Sequence, residues 1–180
     1  INLESFYHYQ QTQAWTWEHQ ALVRSRMIYG QVSLHSRFDE IRAIILCQAR
    51  DDEKLKKDVI EMREKMRNHL AKGNSELFDL KQDQGGMTDI EFITQYLVLK
   101  YAPQYQELTT WPDNVRILED AAKLGCIDSE MQHQLVASYI EYRSRYHVMS
   151  LNQQGRCAPR TELKEHISLV QSAWQQVLAS

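Results

Sequence analysis

Hydrophobic side chains recur at helical spacing along most of the chain. Ala14, Trp17, Ala21 and Ile28 fall on one side of a helix predicted from about Ser5 to Tyr29. The same periodicity predicts further helices over residues 33–46, 54–70, 89–101, 113–125, 128–149 and 161–178. The segment 89–101 is apolar nearly all round, so we expect it to be the most buried helix.

Chain-breaking residues are scarce, which favours few turns and long helices. There are 6 glycines and 3 prolines, and no evenly spaced Val, Ile and Thr residues indicate strands. Residues 71–87 form one substantial irregular stretch, and residues 155–159 are a candidate linker. We therefore predict an all-α fold, a helical bundle of about six to seven helices with no sheet. Residues 1–180 are expected to form a single domain, to which a C-terminal helix over residues 160–180 could be appended.

Two carboxylates stand at the start of the apolar helix 89–101, where burial would make them costly. Asp89 and Glu91 follow the turn Gly85-Gly86, and Thr88 with Glu91 has the capping-box pattern. An ionised carboxylate that is taken out of water needs a partner. The two acids are therefore expected to cap the helix, to pair with a base, or to lie in an exposed cleft.

Arginine is the obvious partner for such a carboxylate. Arg24 falls on the apolar stripe of the first predicted helix, and Arg26 follows two residues later. An arginine on an apolar stripe itself requires a carboxylate. We predict that one of these arginines pairs with Asp89 or Glu91.

Composition and charge exclude several classes of protein. With 43% hydrophobic and 25% charged residues, the chain is an ordinary globular protein, and no apolar run approaches the roughly 20 residues that a membrane span needs. A net charge of -3 gives no overall basic surface for nucleic acid. Cys47, Cys126 and Cys157 lie far apart, as expected of reduced thiols in the cytoplasm. The 7 histidines show no metal-ligand spacing, so no metal site is predicted.

Five segments of the chain carry recognisable motifs. They are Tyr9–Arg26 with its Trp15-Thr16-Trp17-Glu18-His19-Gln20 run, Met62–Arg67, Phe78–Lys81, Gly85–Phe92 and Trp111–Leu118. Together they resemble the glutamine synthetase adenylyltransferase family, over most of the chain through about Tyr142. The run of two tryptophans is similar to the carboxy-terminal half of that two-part enzyme, the half that attaches AMP to glutamine synthetase.

The resemblance implies a helical subdomain of an enzyme that transfers AMP from ATP to a tyrosine of glutamine synthetase. It also implies that ATP and Mg²⁺, the cofactors of the parent enzyme, are held by paired acids on a strand of a nucleotidyltransferase palm upstream of Ile1. Here Gly85-Gly86 precedes Asp89-Ile90-Glu91 by two residues, at the start of a predicted helix, so this spacing does not make that site. We expect no catalytic residue and no bound cofactor in this fragment, and we predict that it is inactive alone.

The resemblance also suggests partners and contact residues. The partners are glutamine synthetase, the PII signal protein and the enzyme's own nucleotidyltransferase domain. Lys81 precedes the glycine turn and is expected to contact nucleotide phosphates or the target protein, with a plain surface lysine as the alternative. The full set of candidates for facing the catalytic cleft, ATP or the substrate is Lys81, Gly85, Gly86, Asp89, Glu91, Arg24 and Arg26.

Other motif residues are expected to serve structure. Trp15 and Trp17 are expected to pack in a helical core, with stacking on adenine as the alternative, and Glu18 is grouped with them as structural. The charged positions of the helix 54–70 are expected to form a solvated face with weak helical ion pairs, namely Glu61, Arg63, Glu64, Lys65 and Arg67.

Two classes of function are compatible with these residues. The chain is either a helical subdomain that completes the adenylylating half of the enzyme, or a regulatory and interaction module that relays PII or glutamine signals to the catalytic domain. The first predicts that Lys81, Asp89 and Glu91 face an open groove. The second predicts that they are buried in a closed bundle, where the motif serves folding alone.

Overall fold

A computed structural model describes residues 2–179, and most of them are helical. In chain order the elements are α1 (Leu3–Thr12), α2 (Thr16–Val23), α3 (Val32–Leu46), α4 (Asp52–Leu70), β1 (Leu77–Asp79), α5 (Met87–Tyr101), a 3₁₀ turn (Gln106–Thr109), α6 (Asn114–Lys123), α7 (Ser129–Leu151), β2 (Cys157–Pro159) and α8 (Arg160–Leu178). The predicted dominance of helix is confirmed. The described residues contain eight α-helices, so the predicted count of about six to seven is too low.

A small sheet corrects the prediction of a purely helical fold. Strands β1 and β2 pair antiparallel, with Leu77 opposite Pro159, Phe78 opposite Ala158 and Asp79 opposite Cys157. The segment 155–159, predicted as a linker, therefore supplies a strand. Strands of three residues are too short to show the alternation from which a strand is recognised in a sequence.

The first predicted helix is in fact two helices, α1 and α2. The break lies before Trp15, whose backbone is extended at φ -86° and ψ 161°. Glu18 stabilises the new helix because its Oε2 accepts a hydrogen bond from the Trp15 N–H at 2.9 Å, while its Oε1 accepts one from the Tyr9 hydroxyl at 2.6 Å. Both hydrogen bonds favour the ionised carboxylate and lower the pKa of Glu18.

The two tryptophans expected in a helical core lie at the surface. Trp15 is 71% exposed and Trp17 is 47% exposed. The buried residues of α2 are instead Gln20, Leu22 and Val23. The break at Trp15 changes which side of this segment faces inward, so a stripe drawn through a continuous helix misplaces both indoles.

The chain divides into two compact units. The first contains residues 1–59 and 94–126, and the second contains residues 60–93 and 127–180. Helices α4 and α5 each contribute residues to both units. None of the helices within residues 2–179 is long and apolar enough to cross a membrane.

Two arginines fasten the first unit through backbone carbonyls. The Arg42 guanidinium donates from Nε to the Leu22 carbonyl at 3.0 Å and also bonds the carbonyls of Val23 and Thr109. Arg50 donates to the carbonyls at the end of α3, including that of Ile45 at 2.8 Å. Burial lowers the pKa of Arg42 and brings that of Arg50 to about 10. These arginines satisfy the free carbonyls at the ends of α2 and α3.

A polar network in the first unit joins the start of α4 to α5. Asp52 accepts hydrogen bonds from the Tyr96 hydroxyl at 2.7 Å and from the Lys100 ammonium at 3.0 Å. Burial by itself raises the pKa of Asp52, but the two hydrogen bonds and the positive charge of Lys100 outweigh it, so the net pKa is lowered. The network therefore links the two helices. We assign it a structural role, not a catalytic one.

The core of the second unit contains packed aromatic rings and the interface between α7 and α8. The ring centroids of Phe78 and Tyr142 lie 5.7 Å apart, and those of Tyr142 and His166 lie 6.1 Å apart. Phe78 and Tyr142 are fully buried. A shift of β1 by one residue would turn Phe78 to the other face of the sheet. The packing of Phe78 therefore fixes the position of the loop that follows the strand.

Candidate functional site

The motif around residue 89 forms a buried ionic cluster in the second unit. Asp89 lies in the first turn of α5, and its Oδ1 accepts hydrogen bonds from Arg63 Nε at 2.6 Å and Arg67 Nη2 at 3.3 Å. Its Oδ2 accepts one from the Gly85 N–H at 2.7 Å. The side chains of Arg63 and Asp89 are 0% and 1% exposed. Asp89 therefore ties α4 to the start of α5.

Arg63 is the centre of this cluster, although the sequence placed it on a solvated face. It also bonds Gln82, through Nη1 to the side-chain oxygen at 3.2 Å and through Nη2 to the carbonyl at 2.8 Å. Burial lowers its pKa, and the charge of Asp89 opposes that effect. Arg63 continues the i, i+4 row of the buried Leu55 and Val59, so helical spacing alone could have placed it inside.

A second acid, Asp79, organises the loop before the glycine turn. Its Oδ1 accepts hydrogen bonds from the Lys81 and Gln82 N–H groups, both at 3.1 Å. Its Oδ2 accepts from the Lys72 N–H at 3.0 Å and from Arg156 Nε at 2.9 Å. This fully buried carboxylate therefore holds both ends of the loop and the start of β2.

A third acid, Asp83, completes a bonded set of acids and arginines that we term the clasp, namely Asp79, Asp83, Asp89, Arg63, Arg67, Arg156 and Arg160. Its Oδ2 accepts hydrogen bonds from the Asp79 N–H at 3.1 Å and from Arg160 Nη2 at 2.8 Å. Gly73 packs so closely on this carboxylate that a Cβ added there would lie 1.9 Å from Asp83 Oδ2. The bonded pairs Asp79–Arg156 and Asp83–Arg160 are each separated by 77 positions in sequence, so no local pattern predicts the importance of these four residues.

The glycine turn has little free hydrogen-bonding capacity. Gly85 donates to Asp89, the Gly86 N–H donates to the Asp83 carbonyl at 2.9 Å, and the Met87 N–H donates to the Leu80 carbonyl at 2.9 Å. A phosphate at a helix N-terminus needs such N–H groups unpaired. In this conformation they serve the loop itself.

The expected capping box of Thr88 and Glu91 does not describe the start of α5. The helix begins at Met87, so Thr88 lies within its first turn. The Thr88 hydroxyl is buried and has no hydrogen-bond partner within residues 2–179. Asp89 caps the helix instead, because its side chain reaches back and accepts a hydrogen bond from the Gly85 N–H. The negative charge of Asp89 in this first turn also complements the positive end of the helix dipole.

The other candidate residues are more accessible. Lys81 and Glu91 are half-buried in the second unit, whereas Arg24 and Arg26 are exposed in the first. Within its own unit, the arginine partners of Asp89 are Arg63 and Arg67. The pairing of Arg24 or Arg26 with an acid of α5 stays a prediction.

The acids of this site do not fit Mg²⁺. No group of three or more His, Cys, Asp and Glu side chains within residues 2–179 could hold a metal ion. Both oxygens of Asp89 already accept hydrogen bonds from arginine or backbone donors. Displacing these donors would leave the arginine buried and unpaired, at a cost of several kcal/mol.

Two family models match the chain. The model described as glutamate-ammonia ligase adenylyltransferase matches residues 1–41, and the model described as GlnD PII-uridylyltransferase matches residues 53–158. These two matches define the class of this protein. It is an adenylyltransferase-like helical region, related to the nucleotidyltransferases GlnE and GlnD. The matches confirm the resemblance drawn from the motifs. Because the second match spans more than half of the chain, the chain belongs to the GlnD PII-uridylyltransferase family.

Proposed function

We propose that the chain is the helical region of an enzyme that transfers AMP from ATP to a tyrosine of glutamine synthetase, and so regulates nitrogen assimilation in the cytoplasm. The observation that carries the proposal is the match of residues 1–41 to the glutamate-ammonia ligase adenylyltransferase model. ATP and Mg²⁺ would be held by a nucleotidyltransferase domain outside this chain. The chain would support that domain and contribute contacts to its substrates.

The buried clasp supports a positioning role for Lys81. The Lys81 N–H donates to Asp79 and the Lys81 carbonyl accepts from the Thr88 N–H at 3.1 Å, so both backbone groups are held. Its side chain is half-buried, and its ammonium has no ion pair or hydrogen bond among the described residues. A cation on a fixed backbone is well placed to meet a phosphate or a carboxylate of a partner.

Replacing Lys81 by alanine in the full-length enzyme tests this role. We expect kcat/KM for AMP transfer to glutamine synthetase to fall about tenfold to a hundredfold, because a charge-assisted hydrogen bond is lost. The measurement is the incorporation of labelled AMP at varied ATP and varied glutamine synthetase. Lys72→Ala, which removes an exposed lysine of the same loop, is the matched control and should leave the rate unchanged. Unchanged kinetics in the Lys81 variant would refute the contact.

A second function is favoured by two observations. The longer match is to a model described as a PII-uridylyltransferase, and Asp89 is buried in a network that serves folding. A module that relays PII or glutamine signals to the catalytic domain would have these properties. If Lys81→Ala leaves the transfer rate unchanged but removes its response to PII and glutamine, the relay function replaces the first proposal.

A further inference from the structure

Asp79 and Arg156 hold the backbone of the loop at Lys81. The Lys81 N–H and the Gln82 N–H both donate to Asp79 Oδ1 at 3.1 Å. The preceding N–H, that of Leu80, donates to the Arg156 carbonyl at 3.0 Å. Three consecutive N–H groups therefore end on two residues. Because supporting hydrogen bonds of this kind fix the position of a side chain, Asp79 and Arg156 determine where the Lys81 side chain leaves the loop.

An ion pair joins these two residues to each other. Arg156 Nε donates to Asp79 Oδ2 at 2.9 Å, across 77 positions of the sequence. The Asp79 side chain is 0% exposed and that of Arg156 is 25% exposed. Arg156 Nη2 also bonds the Leu70 carbonyl at the end of α4. The ion pair therefore fixes the loop against α4 and against the start of β2.

The hydrogen bonds of Asp79 require a carboxylate at this position. Its Oδ2 also accepts from the Lys72 N–H at 3.0 Å, so each oxygen of Asp79 accepts from two N–H donors. An asparagine has one oxygen and one NH2 group, and in either orientation its NH2 group would face two of these donors. Asp79→Asn keeps the shape of the side chain but releases either the turn at Lys81 or the contact with Arg156.

The other acids of the clasp bond elsewhere. Within residues 2–179, the hydrogen bonds that Asp83 and Asp89 accept come from residues other than Lys81. Asp79 is therefore the acid of the clasp that contacts the Lys81 backbone directly.

We propose that Asp79 is a positioning residue for AMP transfer: held by Arg156, it fixes the Lys81 backbone so that the ammonium group meets its partner. The proposal rests on the proposed function, in which Lys81 contacts a phosphate or a carboxylate. Asp79 itself touches no substrate. A charge that is already in position needs no rearrangement when its partner group arrives, so the hydrogen bonds of Asp79 contribute to the rate through Lys81.

The test is a double-mutant cycle in the full-length enzyme with Asp79→Asn, Lys81→Ala and the two combined. We expect Asp79→Asn to lower kcat/KM for AMP transfer about tenfold, and to change the same quantity as Lys81→Ala, whether that is the KM for ATP, the KM for glutamine synthetase or kcat. The double variant should stay within about twofold of Lys81→Ala, because the position of the loop no longer matters once the ammonium group is gone.

A role in folding alone gives a different result. The two losses would then multiply, so that Asp79→Asn costs the same factor with and without the Lys81 side chain, and this would overturn the proposal. Wild-type kinetics for Asp79→Asn, beside a slow Lys81→Ala, would overturn it as well. If Lys81→Ala itself has wild-type kinetics, the contact in the proposed function fails, and the positioning role falls with it.

Two further variants keep the test decisive. Arg156→Gln removes the guanidinium but leaves Asp79 in place, so it serves if Asp79→Asn does not fold, as judged by urea unfolding. We expect it to lower kcat/KM about threefold or more, again with no further loss in the Lys81→Ala background. Asp52→Asn is the matched control, because Asp52 bonds Tyr96 and Lys100 in the first unit. Its effect on kcat/KM should be the same with and without the Lys81 side chain, whereas independence of the Arg156 and Lys81 variants would contradict the proposal.

Discussion

Replacing Arg63 by methionine is expected to lower the free energy of unfolding by about 3–5 kcal/mol, because it leaves a buried carboxylate without its main partner. Arg63 is fully buried, and its guanidinium bonds both Asp89 and Gln82. Methionine keeps much of the volume, so the loss is mainly that of charge and hydrogen bonds. Urea unfolding measures it, with the fluorescence of the buried Trp174 reporting on the same unit.

The control for this result lies on the same helix. Lys65 is exposed on α4, and Lys65→Met should change stability by less than about 0.5 kcal/mol. Equal stability of the Arg63 and Lys65 variants would mean that the buried ion pair is not what holds α4 to α5. The solvated face predicted from the sequence would then be the better description of Arg63.

Alanine at Gly85 is expected to cost about 2–4 kcal/mol, since it combines backbone strain with a steric clash. The residue has φ +89°, a conformation that L side chains rarely adopt. An added Cβ would lie 2.8 Å from the Ile167 carbonyl oxygen and 3.1 Å from Gln171 Cγ on α8. The carbonyl belongs to a helix backbone and moves only at further cost. Thermal and urea unfolding both measure the loss.

Two other glycines separate strain from clash. Gly125 has φ +73° but no described atom within 4 Å of an added Cβ, so Gly125→Ala should cost only about 1 kcal/mol. Gly155 has neither feature, and Gly155→Ala should stay within about 0.5 kcal/mol of wild type. Three equal effects would contradict the close packing of Gly85 on α8.

The helices could be predicted from the sequence where hydrophobic spacing was regular. Helix α5 is the clearest case, because its apolar run is buried nearly throughout. The break before Trp15 could not be predicted from that spacing, because it depends on the hydrogen bonds of Glu18 to the Trp15 backbone and to Tyr9. The strands were missed because each has three residues and pairs across a long separation in sequence.

The candidate site shows a similar division. The sequence identified Asp89 as a costly buried acid that needs an arginine, and the structure supplies Arg63 and Arg67. The predicted partners were arginines of the apolar first helix, whereas those of the charged helix 54–70 were predicted to lie on a solvated face. Because the helix 54–70 is highly charged throughout, its composition gave no sign that Arg63 faces inward. Asp79 and Asp83 form ion pairs with Arg156 and Arg160. No local sequence pattern predicts these long-range pairs.

The hydrogen bonds of the clasp show that the Gly-Gly-x-x-Asp-x-Glu motif has a structural role in this chain. Its first acid is bonded to arginines and its glycine N–H groups are bonded within the loop. The motif therefore stabilises the fold of the second unit, and we propose that Lys81 is the side chain that meets a partner. The proposed function predicts this arrangement for a region that supports chemistry on a separate domain.

The most direct test of that arrangement is a transfer assay with the purified chain, residues 1–180, mixed with glutamine synthetase, labelled ATP and Mg²⁺. The full-length enzyme serves as the positive control. We expect label on glutamine synthetase with the full-length enzyme and none above background with the chain alone. Label transferred by the chain itself, and lost on Asp89→Asn, would show that these acids hold the metal and would contradict the account.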